Sequence, residues 1–125
     1  MIILSKGQVK QLHAKMVEAT GGSAGVRDES LLDSALASAF QTFDNIELYP
    51  TDIAKIARIT YSLVYNHPFA DGNKRIGTYV MLVLLELNNI RADFTDEDII
   101  RIGLELADGK MEYRQLLHLM LERIT

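Results

Sequence analysis

Apolar residues recur along most of this chain at intervals of three and four, the spacing of one helix face, and almost nowhere at the interval of two that marks a half-buried strand. The first such run is Val9, Leu12, Met16 and Val17, and ahead of it Ser5 and Gln8 are spaced as a capping box. Gly21 and Gly22 close that helix, and the segment GGSAGVR, Gly21 to Arg27, suits backbone conformations that a helix excludes. Asp28 can cap a second helix carrying Leu31, Leu32, Ala35, Leu36 and Ala39. Pro50 marks the next break. Thr51 then opens a third helix on Ile53, Ile56, Ala57, Thr60, Leu63 and Val64, and Pro68 ends it near Asn66 or His67.

The spacing predicts a fourth helix from about Asn73 to Asn88, apolar on nearly every side through Ile76, Val80, Leu82, Val83, Leu84 and Leu85. Such a helix is expected at the buried centre of a bundle. Thr95 and Asp98 form a second capping-box pattern, opening a helix towards Ala107, and Asp96, Glu97 and Asp98 complement the positive end of its dipole. After Gly109 a final amphipathic helix carries Tyr113, Leu116, Leu117, Met120 and Leu121. The expectation is an all-α helical bundle, a single domain over residues 1–125, with a polar loop at the N-terminus of its most apolar helix. Met16, Met81, Met111 and Met120 read as core filling. His13 and His118 have no partner at metal-ligand spacing and read as structural.

Composition narrows the function classes. The 125 residues are 48% hydrophobic, enough for a core, and include no cysteine, which excludes disulfides, thiolate nucleophiles and cysteine zinc sites. Absence of cysteine also suits a reducing cytoplasm, the expected location. The net charge is -4 with no basic tract, so binding to a nucleic-acid backbone is not expected. The longest apolar run, Tyr79 to Leu85, stops at Glu86, well short of the roughly 20 residues that span a membrane. Met1 to Leu4 is too short for a signal-peptide core, and Lys6 interrupts it.

Candidate chemistry gathers in Asn66 to Gly77, NHPFADGNKRIG, between an amphipathic helix and the most apolar one. Backbone amides at the start of a helix lack intrahelical partners and attract anions. Gly72 leaves the approach of an oxyanion clear, Lys74 and Arg75 add positive charge, and Arg75 can hold phosphate oxygens with two parallel hydrogen bonds. Asp71 is a hard oxygen ligand suited to a magnesium ion shared with phosphates. His67, at the end of the preceding helix, can accept a proton at neutral pH. The set suits phosphoryl or nucleotidyl transfer. The same residue types also make an ordinary turn with surface cations, but a polar cluster at the mouth of a buried helix is not needed for folding.

The string HPFADGNKR, His67 to Arg75, resembles the signature of the Fic family, HPFx[DE]GNxR, with seven fixed positions matched: His67, Pro68, Phe69, Asp71, Gly72, Asn73 and Arg75. The short length and the segment GGSAGVRDESLLDSAL resemble the death-on-curing (Doc) branch of that family. The resemblance implies an all-α Fic fold with the motif in the loop between two central helices. It implies His67 as general base towards a Ser, Thr or Tyr hydroxyl of a protein, Asp71 as magnesium ligand, and an anion hole from the backbone around Gly72 and the side chain of Asn73. Lys74 and Arg75 would meet the phosphates of ATP, Pro68 would stop the helix and expose His67, and Phe69 would point into the core. Residues Gly22, Ser23, Ala24, Gly25, Val26 and Arg27 align with the flap that the family lays over its target peptide, or are a plain glycine-rich connection.

Two departures from the family pattern bear on the reaction. Family members that attach AMP usually carry Gly where Lys74 stands, and a second Arg where this chain has Thr78. Both changes resemble the death-on-curing toxins, for which ATP binds reversed and its γ-phosphate meets the nucleophile. The implied activity is phosphorylation of a protein hydroxyl, with a threonine of translation elongation factor Tu as the family's target and translation inhibited. Attachment of AMP is the alternative, and a non-enzymatic binding protein is disfavoured by the intact His67, Asp71, Asn73 and Arg75. No Ser or Thr is followed by Glu at the fourth position, so the family's internal inhibitory motif [ST]xxxE[GN] is missing. A separate antitoxin, supplying an inhibitory segment that folds on binding, is therefore implied.

Overall fold

A computed structural model describes residues 1–125. Six α-helices account for most of the chain: α1 (Lys6–Thr20), α2 (Glu29–Ala37), α3 (Asp52–Asn66), α4 (Asn73–Leu87), α5 (Asp96–Ala107) and α6 (Tyr113–Arg123). Local chemistry sets their ends. Ser5 and Gln8 close a reciprocal capping box on α1, Asp28 accepts from Leu31 N–H at α2, Thr51 from Ala54 N–H at α3, and Thr95 with Asp98 forms a second box at α5. The observed bundle is the all-α architecture that the periodicity predicts.

Two features differ from that reading. A two-stranded antiparallel hairpin, β1 (Thr42–Phe43) and β2 (Ile46–Glu47), follows a 3₁₀ turn at Ser38–Phe40. Its tip, Asp44 and Asn45, takes positive φ at both positions (52° and 63°), the twist that matches paired strands. Two-residue strands are too short to show a period, so the pattern gave no sign of them. The centre of the bundle is also not α4 alone. On α4 Tyr79 and Leu82 face outward, 42% and 40% exposed, whereas α3 packs against α2, α4, α5 and α6. Helix α3 buries polar groups that hydropathy does not flag: Thr60 donates to Ile56 O, Ser62 pairs with Ser38, and Lys55 donates to Glu47 and Tyr49 O.

The core is one cluster of 23 buried residues, running from Val9 and Leu32 through Ile56, Leu63, Ile76 and Met81 to Ile102 and Leu116. All four methionines assigned to it, Met16, Met81, Met111 and Met120, are buried. The α3–α4 pair lies at its middle, and the six residues between these helices, 67–72, form the loop that carries the motif. No helix is long and apolar enough to cross a membrane.

Candidate active site

The motif loop is held from three sides. At its start, Pro68 forbids continuation of α3, and His67 closes the helix in the left-handed region (φ 55°, ψ 49°). A residue other than glycine adopts that conformation at a cost of about 1–2 kcal/mol. Arg27 offsets it: Nε and Nη2 donate to His67 O at 2.8 and 2.6 Å, Nη2 also reaches Asn66 O at 3.2 Å, and its backbone N–H donates to Pro68 O at 2.8 Å. The orphan carbonyls of the helix end thus acquire a cation, and the His67 side chain stands exposed.

In the middle of the loop Phe69 is buried at 1% exposure, its ring stacked on His13 with centroids 3.9 Å apart. Its backbone pairs with Val26 as an isolated antiparallel bridge, flanked by Arg27 N–H to Pro68 O and Ala70 N–H to Gly25 O at 3.1 Å. In that register the N–H and C=O of Val26 point away from the motif. The candidate flap Gly22–Arg27 therefore lies along the motif loop with its outer edge open. Within it the Arg27 guanidinium is turned onto the end of α3.

Asp71 is exposed, its Oδ1 accepting from Gly72 N–H at 2.8 Å and its Oδ2 from Ser23 N–H at 3.4 Å. A side chain at Gly22 (φ 109°) would place Cβ 2.7 Å from Asp71 Oδ2, so only glycine lets the flap approach this carboxylate. Gly72, at φ 74°, is the N-cap of α4 and gives no side-chain cap to its amides. The first turn contains no acidic residue, and Lys74 and Arg75 stand exposed beside the free amides. An anion meets open donors, a helix dipole and two cations there. Arg75 Nη1 donates to Thr20 Oγ1, which ties it to the end of α1 and leaves its other N–H groups available.

The resemblance implies an Asn73 side chain in this hole, but the structure turns it away. It is 3% exposed and turned inward, with Oδ1 accepting from Phe69 N–H at 3.0 Å and Nδ2 donating to Phe69 O at 3.1 Å. Only its backbone N–H belongs to the helix N-terminus. Thr78, one turn on, is also buried, and its hydroxyl donates to the carbonyls of Lys74 and Arg75. On the outer side of Lys74 a groove of about 330 Å³ runs between α4 and α5, lined by Lys74, Arg75, Thr78, Ile99, Ile100 and Leu104. The larger cleft, about 400 Å³ between α5 and α6, shares no residue with the motif and is lined mainly by Arg101, Glu105, Arg114 and Glu122, charges that belong to surface ion pairs or solvent.

No cluster of three or more His, Asp or Glu side chains is present, so the chain offers no closed metal site of its own. The donor set at the loop is a single exposed carboxylate beside an anion cradle. That fits magnesium, which is commonly held by one or two carboxylates with the rest of its shell from phosphates and water.

His13 is buried, as its place on an apolar helix face predicts, and its Nε2 lies 2.7 Å from Asp71 O, beneath the motif loop. The signal available was its position on the face of Val9, Met16 and Val17, which marks a buried polar group in need of a partner without saying which. His118, by contrast, is exposed and pairs with Glu122 within α6.

A family model described as Fic/DOC family matches residues 3–85, which includes α1, the flap, the motif loop and nearly all of α4. A curated relative, Toxin Doc of Mycolicibacterium smegmatis, is 38% identical over 78 residues, 61% of this chain and 60% of the relative. The match thus spans about three-fifths of the length of that relative.

Proposed function

This chain belongs to the Fic/DOC family, and on that premise we propose that it is a Doc-type toxin of a toxin–antitoxin system, a phosphotransferase that moves the γ-phosphate of ATP onto a protein hydroxyl. The preferred target is a threonine of translation elongation factor Tu in the cytoplasm, with inhibition of translation as the result. In this reading His67 accepts the proton of the attacking hydroxyl. The hydroxyl oxygen bonds to the γ-phosphorus, the bond from that phosphorus to the β,γ-bridging oxygen breaks, and ADP leaves. Phosphoryl transfer asks little covalent work of the protein, so positioning and charge stabilisation carry the rate. The amides of Asn73 and Lys74, the Lys74 ammonium and the Arg75 guanidinium would hold the phosphates, and the apolar wall of Ile99, Ile100 and Leu104 gives the rest of the nucleotide a surface. Asp71 would hold a magnesium ion, which when bound neutralises charge on the phosphates. The outer edge of Val26 is available to pair with a target peptide.

The observation that carries phosphate over AMP is the pair Lys74 and Thr78. A long cation, Lys74, stands exposed on the wall of the groove beside the free amides, and the position that would bear a second phosphate anchor holds a hydroxyl bonded to its own helix. The missing [ST]xxxE[GN] motif supports control by a separate antitoxin that inserts its own segment. Intact-mass measurement of elongation factor Tu after incubation with the protein, ATP and magnesium tests the reading. A gain of one phosphoryl group, abolished by His67→Ala, is the expected result. A gain of one AMP would overturn the phosphate assignment and replace it with adenylylation, and an unmodified target would remove elongation factor Tu as substrate.

A further inference from the structure

The motif accounts for the loop residues themselves but not for the buried histidine beneath them. We infer that His13 is a positioning residue of the site: from helix α1 it fixes the Asp71 peptide, and through it the carboxylate that would hold the metal. The inference rests on the magnesium-dependent reading above. Three observations carry it. His13 is 1% exposed, and its ring lies nearly parallel to Phe69 (12°), so the stack fixes the plane of the imidazole. Its Nε2 is 2.7 Å from Asp71 O, and because a carbonyl can only accept, Nε2 carries the proton and donates. The same nitrogen would lie 3.8 Å from a Cβ at Gly72, so ring, loop and the start of α4 meet at one point.

Other bonds hold the carboxylate of Asp71, from Gly72 N–H and Ser23 N–H, and the rest of the loop, but not the Asp71 carbonyl. Asn73 binds Phe69, and Gly25 binds Ala70, but the Asp71 carbonyl is held by His13. Loss of that donor leaves the Asp71 carbonyl without a partner and loosens, from the backbone side, the only carboxylate of the loop. A burial role alone asks for a ring of the right size. A positioning role asks for a donor at Nε2 as well, and the two can be separated by substitution. His13→Phe keeps the stack and removes the donor. His13→Gln loses the stack and keeps a donor at about the same reach, and His13→Met has the length of Gln without the donor.

Hydrogen exchange resolved to single amides, together with magnesium titration of the phosphotransfer assay, tests the inference. In His13→Phe the amides of Ala70 and Gly72 are expected to exchange faster while those inside α3 and α5 hold. The magnesium concentration for half-maximal rate is expected to rise by about 10- to 100-fold, the usual effect of removing a group that orients a metal ligand, with KM for the protein target unchanged. His13→Gln should lie closer to wild type than His13→Met on both readouts, and this pair decides the matter if His13→Phe does not fold. Equal behaviour of Gln and Met, or an unchanged magnesium requirement in a folded His13→Phe, would overturn the inference and leave His13 as core. If wild type transfers nothing, the proposed function fails on its own, and the exchange comparison still decides whether His13 holds the loop.

Discussion

Asn73 uses both ends of its amide on one neighbour, and that fixes what it can give a ligand. With Oδ1 and Nδ2 bonded to the backbone of Phe69 inside the core, it works as a clasp that bends the motif loop back onto the start of α4. Asn73→Ala would leave the N–H and C=O of a buried residue without partners. A loss of about 1–3 kcal/mol in folding stability is expected, read from chemical denaturation, together with lower activity. A side chain that only touched phosphate would lower activity and leave stability in place, so the two measurements separate the roles. The residue types of the site, and their spacing, were legible in the sequence. The directions of three side chains were not. Asn73 turned inward, Arg27 turned onto His67 across 40 residues, and His13 reached Asp71 across 58. Contacts between segments so far apart are fixed by how α1, the flap and the loop pack, and no local pattern encodes them.

At the scale of the elements, the site depends on how closely α3 and α4 approach behind the loop. Gly77 marks that contact: a Cβ there would lie 2.5 Å from Val64 Cγ2 and 3.5 Å from Thr60 O. Val64 is buried and β-branched, so its methyl has no free rotamer to retreat into. Gly77→Ala gains about 1 kcal/mol in helix propensity but overpacks the interface, which typically costs about 1–3 kcal/mol. A net loss is expected in urea unfolding. In a Val64→Ala background the clash is gone, and Gly77→Ala should become neutral or stabilising, a coupling that a double-mutant cycle reads directly. Equal effects in both backgrounds would show that the helices do not meet there. The helix limits were legible because each is set within one turn, by Ser5 with Gln8, Thr51, Thr95 with Asp98, or Pro68. The hairpin at Thr42–Glu47 was not, since its side chains Phe43 and Ile46 face solvent and so carry no burial pattern. The outward stripe of α4 was hidden for the opposite reason, because an apolar residue on the surface looks the same in sequence as one in the core.

Across the whole molecule, the last helix is fastened to the start of α5, which in turn backs the groove beside Lys74. Asp98 closes the capping box with Thr95 and accepts from Arg123 Nε at 2.8 Å and Nη2 at 3.1 Å. Backbone bonds from Asp93 N–H to Arg123 O and from Thr125 N–H to Arg91 O complete the fastening. The Arg123 guanidinium, and then the Thr95 N–H, hold the Asp98 carboxyl down at about 2. A carboxyl whose value is lower when folded than when unfolded adds stability that is complete above the unfolded value, near 4, and is lost as pH falls through the folded one. Asp28, bonded to Ser30 and to Leu31 N–H, and Glu29, bonded to Lys10 and Lys6, are lowered too and act in the same direction. Stability from these groups should therefore be level between pH 5 and 7 and decline from about pH 4 towards 2. Asp98→Asn keeps a cap but loses the charge. Its melting temperature should lie below wild type by a constant margin above pH 5, and the margin should shrink as pH approaches 2. A margin that stays the same down to pH 2 would mean that the ion pair with Arg123 contributes nothing, and that packing of α6 alone secures the wall of the groove.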